Sequence, residues 1–449
     1  MHEPRSHTDP DDKREIWREP FHPVAFMIRA VLITIPYSVS FEREDRAAVY
    51  ALTVLTFINL FNYVDRWIVS AVLESLRRSE LHLTDTQLGF LPTGFLIVYT
   101  LTSPIFGTLG DRKSRPPLIA VGVALWSIAT SLGGFARGFI SLFIARSGVG
   151  VGEAAYGTIA PALISDTFPL SKRGRVLSIF FCAIPVGSAA GYVLGGFMNE
   201  HFGWRAAFWI AGLPGLILAL LVLFVRDPPR GIHDEVGAAG FSPPAKAGVY
   251  TYLGLFRNGP YIVTVLGYGA YTFALGALAF WMPAFLERER GMTGAQATET
   301  FGAIALATGL VGTFTGGWLG DLFLKKSKQS YLWVSGIATL LAAPVTYVAL
   351  SDPRRGVFLT AIVIAEILIF MSTGPVNSAI INAVAPAERA TALGLSVFVM
   401  HFLGDIPSPP IIGKISDATS LERAFLIVPV AIVVAGLIWI YGAWRGERT

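Results

Sequence analysis

The sequence predicts an all-α membrane protein of twelve transmembrane helices, arranged as two parallel six-helix halves. Three observations carry that prediction. Hydrophobic residues make up 53% of the chain and charged residues only 15%, with a mean hydropathy of +0.57. Apolar runs of about 20 residues, enough to cross a bilayer as a helix, recur from residue 48 onward, and charge is confined mostly to the gaps. The longest polar stretch after the N-terminal tail, 227–258, is rich in Pro and Gly and divides those runs six and six.

In order, residues 1–47 form a charged tail. Within it, 22–41 (HPVAFMIRAVLITIPYSVSF) is apolar but interrupted by Arg29 and Pro36, and is expected to lie at the membrane interface rather than span it. No signal peptide is read in the tail. The first bundle, 48–226, holds helices near 48–72, 88–109, 116–135, 140–165, 176–198 and 205–226. The linker is 227–258. The second bundle, 259–449, holds helices near 260–286, 300–320, 330–350, 356–382, 391–413 and 422–444. With the tail set aside, Lys and Arg in the loops on the side of both termini clearly outnumber those on the other side. By the positive-inside rule both termini are then cytoplasmic, in a cell inner membrane.

Several classes are excluded. The single cysteine, Cys182, lies in an apolar run, so neither a disulfide framework nor a cysteine metal site is expected. The net charge of +4 sits in short loops and points to the bilayer as partner, not nucleic acid. No phosphate loop, GxSxG elbow or HExxH motif occurs, so neither an enzyme core nor a cofactor is expected, and no metal.

The halves look like copies of one unit. GTLGD at 107–111 is answered by GWLGD at 317–321, Arg173 by Arg389, and GWRAAF at 203–208 by LERAF at 421–425. In parallel-repeat transporters the substrate sits near the bilayer midplane between the halves. Gly107, Asp111, Arg112 and Arg115 form a loop motif whose charges can latch the halves; a plain positive-inside loop accounts for the arginines but not for the recurring Gly-x-x-x-Asp. The motif resembles the major facilitator loop between helices two and three, with Ser114 and Pro116 as departures. The second copy keeps Asp321 but has no Arg after it, so its latch is expected to be weaker.

Charges within a membrane helix usually face a cavity or a partner. Asn59, Asn62, Asp65 and Arg66 fall within roughly 120° of arc on helix 1, and Arg146 and Glu153 lie two turns apart on one face of helix 4. Rise per residue places Asp65 level with Arg146, and Glu153 nearer Asn59. One reading makes Asp65 and Glu153 proton-carrying carboxylates with Arg66 and Arg146 as competing counter-charges. An arginine drawn to an anionic substrate leaves its carboxylate free to take a proton. The other reading is a static buried network that pins helix 1 to helix 4. In the second half, Glu366 and Asn377 share a face of helix 10, and His401 and Asp405 a face of helix 11. Tyr268 and Tyr271 on helix 7 suit an amphipathic guest or simple packing. All are candidate cavity-lining residues. The glycines at 148, 150, 152, 187, 191, 195 and 196 place helices 4 and 5 side by side.

NYVDRWIVS at 62–70, LTDTQLGFLPTGFLIVY at 83–99, RSGVGVGEAAYGTIAPALISDTFP at 146–169 and HFLGDIPSPPIIGKISD at 401–417 resemble the Spinster branch of the major facilitator superfamily. The resemblance touches most of 50–420 and leaves out the tail and the linker. It implies a transporter of lipid type, since animal members are linked to sphingosine-1-phosphate export or lysophospholipid movement. It also implies a proton-coupling role for Asp65 and Glu153, with Arg66 beside them. The expectation is a monomeric, proton-coupled carrier of an amphipathic anionic lipid. The rivals are a carrier of small organic anions or drugs, and an uncoupled lipid pathway.

Overall fold

The computed structural model describes residues 43–232, 249–385 and 388–448. The interfacial segment expected at 22–41 and most of the linker lie outside them. Ala47–Thr449 form one compact unit.

The first half contains α1 (Arg43–Ala71), α2 (Asp85–Arg112), α3 (Arg115–Gly133), α4 (Phe139–Thr167), α5 (Leu170–Phe202) and α6 (Trp204–Val222). The second contains α7 (Gly259–Arg288), α8 (Gly294–Phe323) and α9 (Ser330–Ser351), then α10 (Arg355–Asn382), α11 (Thr391–Ala418) and α12 (Leu421–Gly446). Eleven of the described helices are long and apolar enough to cross a membrane. The twelfth is α4, of membrane-spanning length with 29 residues, whose charges Arg146 and Glu153 lower its apolar character.

Local chemistry sets the ends. Thr84 caps α2 and Gln87 bonds back to it; Thr293 and Gln296 do the same for α8. These matching capping boxes open equivalent helices of the two halves, a repeat additional to the GTLGD pair. Asn258 caps α7, with proline in its first turn.

Helix 11, expected over 391–413, runs on past Pro407, Pro409 and Pro410 to Ala418. It passes through a π turn at His401–Asp405, where the Ile406 N–H donates to the His401 carbonyl at 3.1 Å, and resumes as Ser408–Ala418. Pro410 has no N–H to give the Ile406 carbonyl, and the Thr93 hydroxyl of α2 takes that carbonyl at 2.6 Å. The Trp281 indole of α7 donates to the Pro409 carbonyl at 3.1 Å. Neighbouring helices thus satisfy groups on the interrupted backbone.

Gly150 lies against the Phe95 carbonyl of α2, and Gly152 against that of Gly122 in α3. Gly187 and Gly191 meet Leu60 and Val64 of α1, and Gly196 meets Thr298 of α8. Helices 4 and 5 do touch, Tyr156 and Phe180 lying 6.3 Å apart by ring centroid, but these glycines meet other helices: glycine spacing marks close approach without naming the neighbour.

The halves meet along α2–α11 and α5–α8. They are joined at the end that carries the α1–α2, α7–α8 and α11–α12 connections. There the Ser70 hydroxyl donates to the Phe280 carbonyl at 2.6 Å, and the Tyr192 hydroxyl to that of Ala279 at 2.7 Å. Asp417 accepts from the Asp85 and Thr86 N–H groups at 2.8 and 2.9 Å, so α11 caps the first turn of α2. Toward the opposite end, Ile105, Phe181, Phe314 and Val397 on these four helices are exposed. One end is sealed, whereas exposed apolar side chains lie on these helices toward the other.

A methyl on Gly413 would overlap the Asp85 carbonyl. Gly413→Ala is expected to lower stability by about 1–3 kcal/mol, the usual cost of overpacking. A melting temperature in detergent equal to wild type would show that the two backbones need not approach this closely.

Candidate functional site

The charges of α1 and α4 form two ion pairs side by side. Arg146 Nη1 donates to Asp65 Oδ1 at 3.0 Å, and Thr130 of α3 donates to Asp65 Oδ2 at 2.7 Å. Arg66 Nη2 donates to Glu153 Oε2 at 2.6 Å. Asp65, Glu153 and Arg146 are buried, whereas the Arg66 side chain is 23% exposed. Its guanidinium is 4.8 Å from the Tyr63 ring centroid, 5.0 Å from Phe95 and 5.5 Å from Tyr99. Delocalised charge over aromatic faces suits a weakly hydrated cation. Arg66 is therefore the member of the cluster with both solvent access and a soft, aromatic bed.

Among the described residues, Glu153 Oε1, Arg66 Nε and Arg146 Nε find no hydrogen-bond partner. An incompletely paired buried charge network is costly as a structural device. Arg66 lies one helical turn from Ser70, so the cluster sits directly beneath the sealed contacts.

The other candidates differ in burial, and Asn377, His401 and Asp405 keep partial exposure. Asn59 is buried and its amide donates to the Phe180 carbonyl at 2.9 Å, which ties α1 to α5 and corrects its assignment. Asn62 is buried, with its amide nitrogen unpartnered. Tyr271 gives its hydroxyl to the Ile369 carbonyl at 3.1 Å and packs 5.5 Å from Trp439, so it belongs to the interior of the second half. Tyr268 is buried beside it, 6.0 Å away by ring centroid. Glu366 is buried against Thr308 of α8 at 2.8 Å, and the Asn377 amide donates to the Thr373 carbonyl. His401 Nδ1 lies 2.9 Å from each Asp405 oxygen, within the π turn.

The loop motif is engaged inside each half. Arg115 is buried and binds Asp166 and Asp227, each at 2.6 Å. Arg230 donates to the Gly110 and Lys113 carbonyls, both at 2.7 Å. Asp111 and Arg112 are exposed, and nothing lies within 4 Å of a Cβ built on Gly107. Asp321 accepts from the Tyr331 hydroxyl at 2.7 Å. Among the described residues, the hydrogen bonds and ion pairs of the motif stay within each half.

Sequence reasoning missed the partners that complete the site. Thr130 is one of three hydroxyl residues, with Ser127 and Ser131, near the end of an apolar helix, and nothing in the sequence singles it out. Phe95 and Tyr99 lie in an apolar run, where nothing distinguishes a cation bed from packing. Glu74 falls beyond the predicted end of helix 1, in the short helix Leu73–Arg78.

Two six-helix halves joined at one end, with a buried charge cluster in the first half, have the architecture of a membrane transporter. The model of the Major Facilitator Superfamily matches residues 55–409. Spinster homolog 3 of Danio rerio is 34% identical over 427 residues, covering 88% of this chain and 85% of that protein. The Drosophila melanogaster protein spinster is 34% identical over 83% of this chain, which spans 62% of that protein's length. A solved bacterial homologue of the human lysosomal transporter Spinster, inward-facing and unoccupied, matches with TM-score 0.81 and 25% identity over 90% of this chain and 98% of that one. The chain belongs to the Spinster family of the Major Facilitator Superfamily, and it is a transporter rather than an enzyme.

Proposed function

We propose that the protein moves an amphipathic, anionic lipid of the lysophospholipid or sphingosine-1-phosphate type by alternating access, driven by protons carried at Glu153 and Asp65. The observation that supports this most is the pairing of partly exposed Arg66 with buried Glu153, whose second oxygen has no partner among the described residues. An anionic headgroup competes with Glu153 for Arg66. When Arg66 turns to the headgroup, Glu153 is left as an unpaired buried carboxylate, and a proton on its free oxygen removes that cost. Substrate and proton occupancy then rise together. Asp65, held by Arg146 and Thr130, relays the change to α3 and α4. The aromatic bed of Tyr63, Phe95 and Tyr99 suits the glycerol or sphingoid region of such a guest.

The excess of Lys and Arg toward the termini supports cytoplasmic termini in an inner membrane, and so an inward-open state with its outer end sealed. One chain holds both halves, so a monomer suffices.

The test is uptake of lysophospholipid and of sphingosine-1-phosphate into proteoliposomes, with and without a proton gradient. Gradient-driven flux is expected for wild type, and on the order of a hundred-fold less for Glu153→Gln, the loss typical of a positioned proton donor or acceptor. Lipid flux indifferent to both gradient and Glu153→Gln would leave a uniporter with a static network. No lipid flux, with a small carboxylate transported instead, would make this a small-anion carrier.

A further inference from the structure

We propose that the second half carries a peripheral binding site for an anionic phospholipid of the surrounding bilayer, separate from the central charge cluster. A cavity of about 410 Å³ is cut between α8, α9 and α10, within the size range of small-molecule sites. Its depth is apolar, lined by Val334, Ile337, Leu341, Leu368 and Met371. Helix α9 packs on α8, α10 and α12, all of its own half, and Ile337 and Leu341 are exposed on it. The cavity therefore opens on the outer wall of the bundle, where a membrane protein meets lipid. From Ser330 at its mouth to Leu341 the wall runs about 16 Å along α9, so it is a slot parallel to an acyl chain rather than a pit.

The mouth has the chemistry of a headgroup site. The α8–α9 loop carries exposed Lys325, Lys326 and Lys328, and the last turns of α12 add Arg445 and Arg448. Loop and helix end are tied together, because Ser327 donates to Glu447 at 2.6 Å and the Trp333 indole donates to the same oxygen at 2.9 Å. Glu447 is thereby occupied, as is Asp321 by Tyr331. Lys326 lines the cavity and four more exposed cations flank it, near two carboxylates, Glu447 and Asp321, that already hold hydrogen bonds. Basic pockets of this kind between spans select anionic headgroups. The occupant is thus one acyl chain in the slot with an anionic head at the lysines. It is not the transported lipid, whose proposed site is at Arg66 on the other half.

The test is native mass spectrometry of the full-length protein released from nanodiscs of equal parts phosphatidylglycerol and phosphatidylcholine. Wild type is expected to retain phosphatidylglycerol over phosphatidylcholine by on the order of ten-fold. The preference is expected to vanish both in Lys325→Gln/Lys326→Gln/Lys328→Gln and in Ile337→Trp, which fills the slot from an exposed position. The central Glu153→Gln variant is expected to keep it. No preference in wild type, preference persisting in either peripheral variant, or preference lost in Glu153→Gln would each overturn the assignment.

Discussion

Arg146→Met is expected to destabilise the protein by about 3–5 kcal/mol, the cost of removing one partner from a buried ion pair. Asp65 is fully buried, and without Arg146 it keeps the Thr130 hydroxyl as its one close donor. Arg66 cannot take over without leaving Glu153, to which it is bonded at 2.6 Å. The loss is therefore an uncompensated carboxylate in an apolar interior, larger than the loss of a hydrogen bond, about 0.5–1.5 kcal/mol net. A thermal or denaturant melt in detergent checks it. A drop under about 1 kcal/mol would mean that Asp65 is solvated or protonated in the folded protein.

The double change Asp65→Leu/Arg146→Met separates structure from coupling. Replacing both charges by apolar groups of similar volume is often neutral for stability, so most of the lost stability should return. If Asp65 takes part in proton movement, gradient-driven flux should stay lost in this stable variant. Recovery of flux with stability would reduce the Asp65–Arg146 pair to scaffolding and leave Glu153 as the sole proton carrier.

The division between what the sequence discloses and what it hides follows from range. Helical rise alone puts Asp65 level with Arg146, and these two are bonded. The Arg66–Glu153 pair is not legible the same way. Glu153 lies two turns from Arg146, and only the extended reach of the Arg66 side chain over Phe95 and Tyr99 closes that distance. The twelve spans are legible because each is a local apolar run of the required length. Breaks inside spans are less so: helix 10 reads as continuous from 356 to 382, yet its regular turns are interrupted at Met371 and Ser372. The mark is indirect: Pro375, four residues after Met371, has no N–H to give the Met371 carbonyl. In helix 11 the sequence shows the prolines but not Thr93 and Trp281, which come from other helices to bond the interrupted backbone.

The same limit hides the contacts that seal one end. Glu74 and Asp85 lie 214 and 203 residues from Arg288, and both read as ordinary loop charges even though Asp85 falls within the LTDTQLGFLPTGFLIVY stretch. In the fold they meet across the halves just beyond the central cluster. A carrier of this architecture must close one end while its binding residues face the other, so a seal one turn from Arg66 places substrate recognition where it can sense closure. Ser70 follows Arg66 by four residues on α1 and bonds to α7. Movement of α1 that carries Arg66 toward a substrate therefore bears directly on a contact of the seal.

Arg288→Gln is accordingly expected to weaken that end and shift the protein toward its opposite conformation. Arg288 Nε and Nη2 donate to Glu74 Oε2 at 3.0 and 2.8 Å, and Nη1 and Nη2 donate to Asp85 at 2.6 and 3.0 Å. The guanidinium thus bridges the start of the second half's α7–α8 turn to both sides of the α1–α2 turn. Its loss strands neither acid completely. Glu74 keeps Arg77 and Arg78 at 3.0 and 2.9 Å, and Asp85 keeps the Ser416 hydroxyl at 2.5 Å. The effect should therefore fall below that of Arg146→Met, at about 2–3 kcal/mol for charge-assisted bonds at a partly exposed site. That equals a shift of roughly 30- to 150-fold in the equilibrium between the two conformations. Electron–electron distance measurements between spin labels on the α1–α2 and α7–α8 connections, in a background lacking Cys182, should show a longer distance gaining population. Arg288→Lys should restore part of the short distance, since it keeps the charge but not the four-bond fork. An unchanged distance distribution in Arg288→Gln would transfer the sealing role to the Asp417 cap on α2 and the glycine contacts beside it.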